Sequence, residues 1–182
     1  METCVDSINR NQPEHNRENL IGKAAGKKIK ELGEKASTCF FCTSIASGRP
    51  VQVRPMSIQR IDDDGICWFL SAKDSDKNRE LLSDAKMQLL FQGSTHSDFV
   101  SLYGSAEISA DRNMIHELWE PIAKTWFTEG ETDPRITVIK FTPEEGYYWD
   151  TKHGNIVAFA KMAIGAAIGQ TLDDSIEGTL KT

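Results

Sequence analysis

The amino-acid sequence predicts a mainly β protein with flanking helices, a small antiparallel barrel of about six to seven strands. Short apolar runs recur between Gly, Pro and Asp turn signals, the pattern of many strands at close spacing. Helical stripes fall only in connections and do not alternate with the strands, which argues against a parallel α/β sheet. A chain of 182 residues, 39% hydrophobic and 26% charged, suffices for one buried core.

Taken in order, Ile21, Ala25, Ile29, Leu32 and Ala36 recur at spacings of three and four behind Asn16, a capping residue, and predict a first helix over 17–35. Cys39 to Ile45, Val51 to Ile61 and Ile66 to Ser71 then read as three strands of a meander, separated by Ser47-Gly48-Arg49-Pro50 and Asp63-Asp64-Gly65. Ser75, Asp76 and then Glu80, Leu81 and Leu82 mark a short capped helix, after which Met87 to Gln92 and Phe99 to Ser109 resume as strands. Asp111 opens another helix, with Met114, Ile115, Leu118, Trp119 and Ile122 on one stripe. Arg135 to Thr142 and Gly146 to Asp150 supply two further strands, and the Ala-rich stretch Asn155 to Gly169, ending in the Gly165 and Gly169 pair, reads as a last helix. The expected organisation is a disordered tail over 1–16, one domain over 17–170 and a C-terminal tail over 171–182.

Composition narrows the function. The formal charge is −6, from 21 basic and 27 acidic residues, so binding to nucleic acid through a broad basic face is not expected. An anion must instead be held by a few placed cations and backbone N–H groups, which favours a small ligand. The polar N-terminus lacks the apolar core of a secretory signal, and the longest apolar stretch falls short of the ~20 residues that cross a bilayer; a cytoplasmic protein without membrane contact is expected. Four cysteines, Cys4, Cys39, Cys42 and Cys67, do not make a disulfide framework. Cys39 and Cys42 sit three apart on a strand and so point to opposite faces, which reads as core or surface thiols and not as a metal site.

Catalytic patterns are scarce: His15, His96, His116 and His153 are scattered, and neither a nucleophile elbow nor a phosphate-binding glycine loop occurs. Arg54-Pro55-Met56-Ser57 is more informative. Strand alternation places Arg54 on one face with Met56 and Ile58, so a cation shares an apolar face and needs an anionic partner. Pro55 has no N–H to give a ladder, which puts this strand at an edge or a split. In Phe69-Leu70-Ser71 followed by Ser75 and Lys77, a strand ends where a helix begins, so hydroxyls, free N–H groups and an ammonium converge on a point suited to phosphate. By spacing alone the plainer readings stand beside these: Ser75 only caps the helix, Lys77 is solvated, and Arg54 makes a structural salt bridge.

At these residues the chain resembles the pyridoxamine 5′-phosphate oxidase-like FMN-binding split-barrel superfamily, and within it the bacterial general stress proteins. The marks span about residues 20–150: Arg54-Pro55-Met56, Trp68-Phe69-Leu70-Ser71 with Ser75 and Lys77, Gly104-Ser105-Ala106-Glu107, Leu118-Trp119 with Trp126-Phe127, Asp133-Pro134, and Tyr148-Trp149-Asp150. The resemblance implies a homodimer with FMN, or alternatively FAD, between subunits. It implies that Arg54, Lys77, Ser71 and Ser75 bind the flavin phosphate, and that the backbone of Pro55, Met56, Ser57 and Leu70 borders the ring. It implies, too, that Trp149 lines the cleft from the partner subunit. Asp98 or Phe99 stands where the oxidases carry a Gln that touches the flavin, and the Arg-rich C-terminal segment that holds their substrate is not found, so vitamin B6 oxidation is not expected. The implied function is a flavin-dependent oxidoreductase with the flavin as hydride or electron carrier, the alternative being a non-catalytic flavin-binding or flavin-sensing stress protein.

Overall fold

The computed structural model describes residues 16–48, 50–95, 97–153, 160–161, 164 and 174–182. Among these residues nine strands form one mixed sheet: β1 (Leu20–Ile21), β2 (Thr38–Thr43), β3 (Gln52–Ser57), β4 (Arg60–Ile61), β5 (Cys67–Ala72), β6 (Lys86–Gln92), β7 (Phe99–Ser109), β8 (Ile136–Thr151) and β9 (Ser175–Lys181). Helices α1 (Lys23–Ala36), α2 (Asp76–Ser83) and α3 (Arg112–Leu118) occupy the connections, with 3₁₀ turns at Pro121–Thr125 and Gly130–Thr132. The expected β class with flanking helices is the observed one. The expected all-antiparallel arrangement is not: β1 pairs parallel with β9, and the remaining ladders are antiparallel.

The pairings make a barrel with a split. β2 pairs with β3 and β6, β6 with β7, β7 with β8, and the N-terminal half of β8 with β5. β5 pairs with β4, which continues β3 through Ile58 and Gln59; there the Ile58 N–H reaches the Ser37 carbonyl at 3.1 Å and the Gln59 N–H the Trp68 carbonyl at 2.9 Å. The circuit therefore closes through one strand that leaves β2 to join β5. On the far side β8 exchanges partners along its length, from β5 to β9.

Alternation fills the interior. Phe41, Phe69, Met87, Leu89, Leu102, Ile139 and Phe141 point inward and are fully buried, with Phe41 and Phe69 edge-to-face at 5.3 Å. Ala25, Ile29 and Leu32 of α1 close one end of that core. Trp68, Leu70 and Ala72 on the opposite face of β5 pack with Ile115, Leu118, Phe127 and Val138 in a second cluster under α3.

Several boundaries differ from expectation. α1 starts at Lys23, not near residue 17, because Gly22 at φ 58° breaks the approach, and 17–21 instead lies along β9. Asn16 is no cap: its side-chain oxygen accepts from Lys152 and its carbonyl from the Glu177 N–H. The strands expected at Arg135 to Thr142 and Gly146 to Asp150 are one strand, β8, which carries Pro143 at the point where the β7 register shifts beside Tyr103 and Gly104. Part of 171–182, expected as a tail, is strand β9, whose Leu180 enters the core. α3 ends before Trp119, ahead of Pro121, so Ile122 leaves the stripe and is exposed. The tail expected over 1–16 falls outside the described residues except Asn16, and the helix expected over 155–169, with Gly165 and Gly169, outside them except 160–161 and 164.

Candidate flavin site at the split

Because β4 pairs with β5 only at Arg60 and Ile61, and β3 pairs only with β2, the backbone edges of Gln52–Ser57 and Phe69–Ala72 on the split side carry no ladder partner among the described residues. Those edges hold Pro55, Met56, Ser57 and Leu70. A planar ligand that hydrogen-bonds through its rim suits such open edges.

Arg54, Met56 and Ile58 lie on the inward face as alternation requires; Met56 and Ile58 touch the core. Arg54 is half-buried, donating from Nη1 to Thr43 Oγ1 at 2.8 Å and from Nη2 to Glu80 Oε1 at 2.7 Å. The structural salt bridge is thus present. Burial alone pushes the Glu80 carboxyl up, but hydrogen bonds from Arg54 and Thr43 hold it below the ordinary carboxylate range. Among the described residues two of the five guanidinium N–H groups are used, which leaves donors for a further anion.

Lys77, one turn before Glu80 on α2, is half-buried, and no ion pair or hydrogen bond involves its ammonium among the described residues. Burial, and secondly the charge of Arg54, hold its pKa below the ordinary lysine value, against the weaker pull of Asp76. Two cations thus share a partly desolvated corner with one carboxylate. A phosphate there would reverse the penalty on Lys77, so these residues fit a phosphorylated cofactor.

Ser71 and Ser75 lie beside this corner in a buried polar knot. Ser71 Oγ, 2% exposed as a residue, donates to Asn78 Oδ1 at 2.7 Å and lies 3.2 Å from Ser75 Oγ. Asn78 Nδ2 donates to Thr137 Oγ1 at 2.8 Å, which donates to the Ser71 carbonyl at 2.9 Å. Ser75 caps α2, accepting from the Asn78 N–H at 3.4 Å. Asn78 and Thr137 tie the serines in place, a role the spacing of Ser71 and Ser75 did not reveal because Thr137 comes from β8.

Trp149 is not brought to this corner. It lies on the outer face of β8, separated from β3 by β2, β6 and β7, 42% exposed and 4.7 Å centroid-to-centroid from Tyr147. Phe99 opposes it on β7, while Asp98 is buried and bound to Lys35 and Ser97. Across this face Pro55, Phe40, Leu90, Ser101 and Tyr147 stand in one cross-strand row. Phe40 within this row and Val53, two residues before Pro55 on the same face, are each 52% exposed.

The other singled-out residues lie elsewhere. Cys39, Cys42 and Cys67 are free and buried, and burial pushes the Cys39 thiol up to about 12. His116 contacts Glu131 at 2.7 Å, His153 contacts Asp174, and His15 and His96 fall outside the described residues. Among the described residues, no helix is long and apolar enough to cross a membrane.

Comparison with known proteins shows what the chain is similar to as a whole. The model of the family described as "pyridoxamine 5′-phosphate oxidase like" matches residues 24–173. Protein bli-3 of Neurospora crassa is 28% identical over 126 residues, 64% of this chain and 60% of that protein, so the chain spans well under two thirds of its length. The crystal structure assigned to general stress protein 26 of Jannaschia sp. CCS1 superposes with a TM-score of 0.72 at 26% identity, covering 85% of this chain and 96% of that one. The general stress FMN/FAD binding protein of Xanthomonas citri shares the fold with a TM-score of 0.55 at 24% identity, covering 69% and 85%.

Proposed function

The chain belongs to the pyridoxamine 5′-phosphate oxidase-like family, and from that premise we propose that it is an FMN-binding oxidoreductase that works as a homodimer. The observation that carries the reading is that Arg54 and a half-buried Lys77, which has no ion pair among the described residues, stand together beside the open edges of β3 and β5. Arg54 and Lys77 would hold the flavin phosphate, with Ser71 and Ser75 adding hydroxyls. The edges at Pro55 to Ser57 and at Leu70 would border the ring, and Glu80 and Thr43 keep the guanidinium oriented. When bound, the flavin supplies hydride or electron transfer. A second copy docked on the outer face would bring its Trp149 to the slit that one chain leaves open.

The test is the absorbance spectrum of the purified chain, followed by titration of the chromophore-free protein with FMN. A flavin spectrum is expected, and Arg54→Ala and Lys77→Ala should each weaken FMN binding by about ten- to a hundredfold, the range of a charge-assisted hydrogen bond. Unchanged affinity in both variants overturns the assignment. Reduction of the bound flavin by NADH or NADPH, with reoxidation by an acceptor, separates an oxidoreductase from a flavin sensor.

A further inference from the structure

The phosphate corner holds three charged side chains, and one of them is a carboxylate. Glu80 stands three residues after Lys77 on α2, a spacing at which a helix brings opposite charges together, yet among the described residues it makes no ion pair with Lys77. Its carboxylate turns to Arg54 instead. Oε1 accepts from Arg54 Nη2 at 2.7 Å, and Oε2 accepts from the Thr43 hydroxyl, which in turn accepts from Arg54 Nη1 at 2.8 Å. The three side chains close a ring of hydrogen bonds that occupies both carboxylate oxygens.

The ring is built to persist. Thr43 is fully buried, and the Arg54 and Glu80 side chains are 25% and 22% exposed, so water and salt screen the pair only in part. Burial alone would raise the Glu80 pKa, but the hydrogen bonds from Arg54 and Thr43 hold it below the ordinary carboxylate range, which keeps the group ionised at neutral pH. N–H donors remain on the guanidinium, but its charge is met. Lys77 has no such counterion, and Asp76, the other carboxylate close enough to act on it, is itself bound to Arg79. The corner thus offers donors from two cations and the net charge of one, against roughly −1.5 to −2 on a phosphate monoester at neutral pH.

We propose that Glu80 sets how tightly the chain keeps its flavin: by meeting the charge of Arg54 it leaves the phosphate incompletely neutralised, so that FMN exchanges with the free pool and occupancy follows its supply. The inference rests on the flavin reading above and adds a regulation to it. Arg54 remains a phosphate ligand through its free donors, while Lys77 carries the uncompensated charge.

Calorimetric titration of the full chain, stripped of chromophore, with FMN and with riboflavin tests it in the native protein, in Glu80→Gln and in Glu80→Ala. Glutamine keeps an oxygen for Arg54 and removes the charge, and riboflavin lacks the phosphate on which that charge acts. The dissociation constant for FMN should fall about tenfold in Glu80→Gln, the effect of one unit charge across a partly screened contact, while that for riboflavin stays within about twofold. Glu80→Ala, which also frees the guanidinium, should gain less. The gain should shrink between about 50 and 500 mM salt, because screening weakens a charge effect and leaves a packing effect unmoved. FMN bound no more tightly by either variant, a gain shared equally by riboflavin, or a gain that salt does not move overturns the role of Glu80 and leaves the FMN site standing. If neither flavin binds a native chain whose circular dichroism shows it folded, the flavin reading itself falls and this inference with it.

Discussion

Arg54 shows how far a single residue is legible. Period-two alternation puts it on the face of Met56 and Ile58, and the structure agrees. Its partners were not legible: Thr43 comes from the neighbouring strand and Glu80 from a helix beyond the next hairpin, contacts that only the closed barrel creates. Asp174 is a second such case, lying in a segment read as a tail. It is fully buried and accepts from the His153 N–H at 2.9 Å, from His153 Nδ1 at 2.7 Å and from Lys161 Nζ at 2.8 Å. Burial alone raises its pKa, but these hydrogen bonds and the Lys161 charge overcome that and hold it at about 2, against an ordinary 3.8. A carboxyl with a folded pKa below its unfolded one stabilises the fold above the unfolded value, and that contribution fades as pH falls through the folded value. Stability should therefore drop between about pH 4 and pH 2 in the native chain, and Asp174→Asn should be less stable near neutrality with a flatter acid limb. Parallel acid limbs, measured by urea unfolding at a series of pH values, would show that Asp174 holds no such charge.

At the scale of elements, strands with dense apolar alternation were readable and β1 and β9 were not. The inward set of β9 is Ile176, Gly178 and Leu180, with a glycine where a side chain would have marked the period. That glycine is required: a Cβ at Gly178 would lie 1.7 Å from the Glu18 carbonyl oxygen, so no side chain fits where the segment 17–19 crosses. By sequence Pro143 and Gly146 look like a turn that divides β8 in two, whereas Pro143 sits at the β7 register shift, where the ladder tolerates a missing donor. If β9 is part of the core, Leu180→Ala should cost about 2–4 kcal/mol by urea unfolding, the range for a buried leucine. Leu82→Ala, at a position 76% exposed, should cost little. Equal costs for the two variants would place β9 outside the cooperative unit.

The whole molecule presents a face and a slit that do not meet within one chain. Arg54 and Lys77 stand at one margin of the sheet and Trp149 near the other, with β2, β6 and β7 between. The outer face joining them exposes Phe40 at 52% and Leu90 at 36% in one cross-strand row, with Val53 at 52% and Trp149 at 42% on neighbouring rows of the same face. In the homodimer proposed above, a two-fold axis through this face would bury the row against its own copy and carry each Trp149 toward the other chain's slit. Phe40 stands between Pro55 and Leu90 in the row, so an aspartate there would set a charge in the apolar contact of both copies. Sedimentation should give a dimer for the native chain and a monomer of unchanged circular dichroism for Phe40→Asp, with weaker FMN binding because the slit has lost one wall. Trp149→Ala should remain dimeric while binding FMN less tightly, which separates loss of the wall from loss of the partner. A native chain that sediments as a monomer, or a Phe40→Asp variant that stays dimeric, rules out this face as the subunit contact.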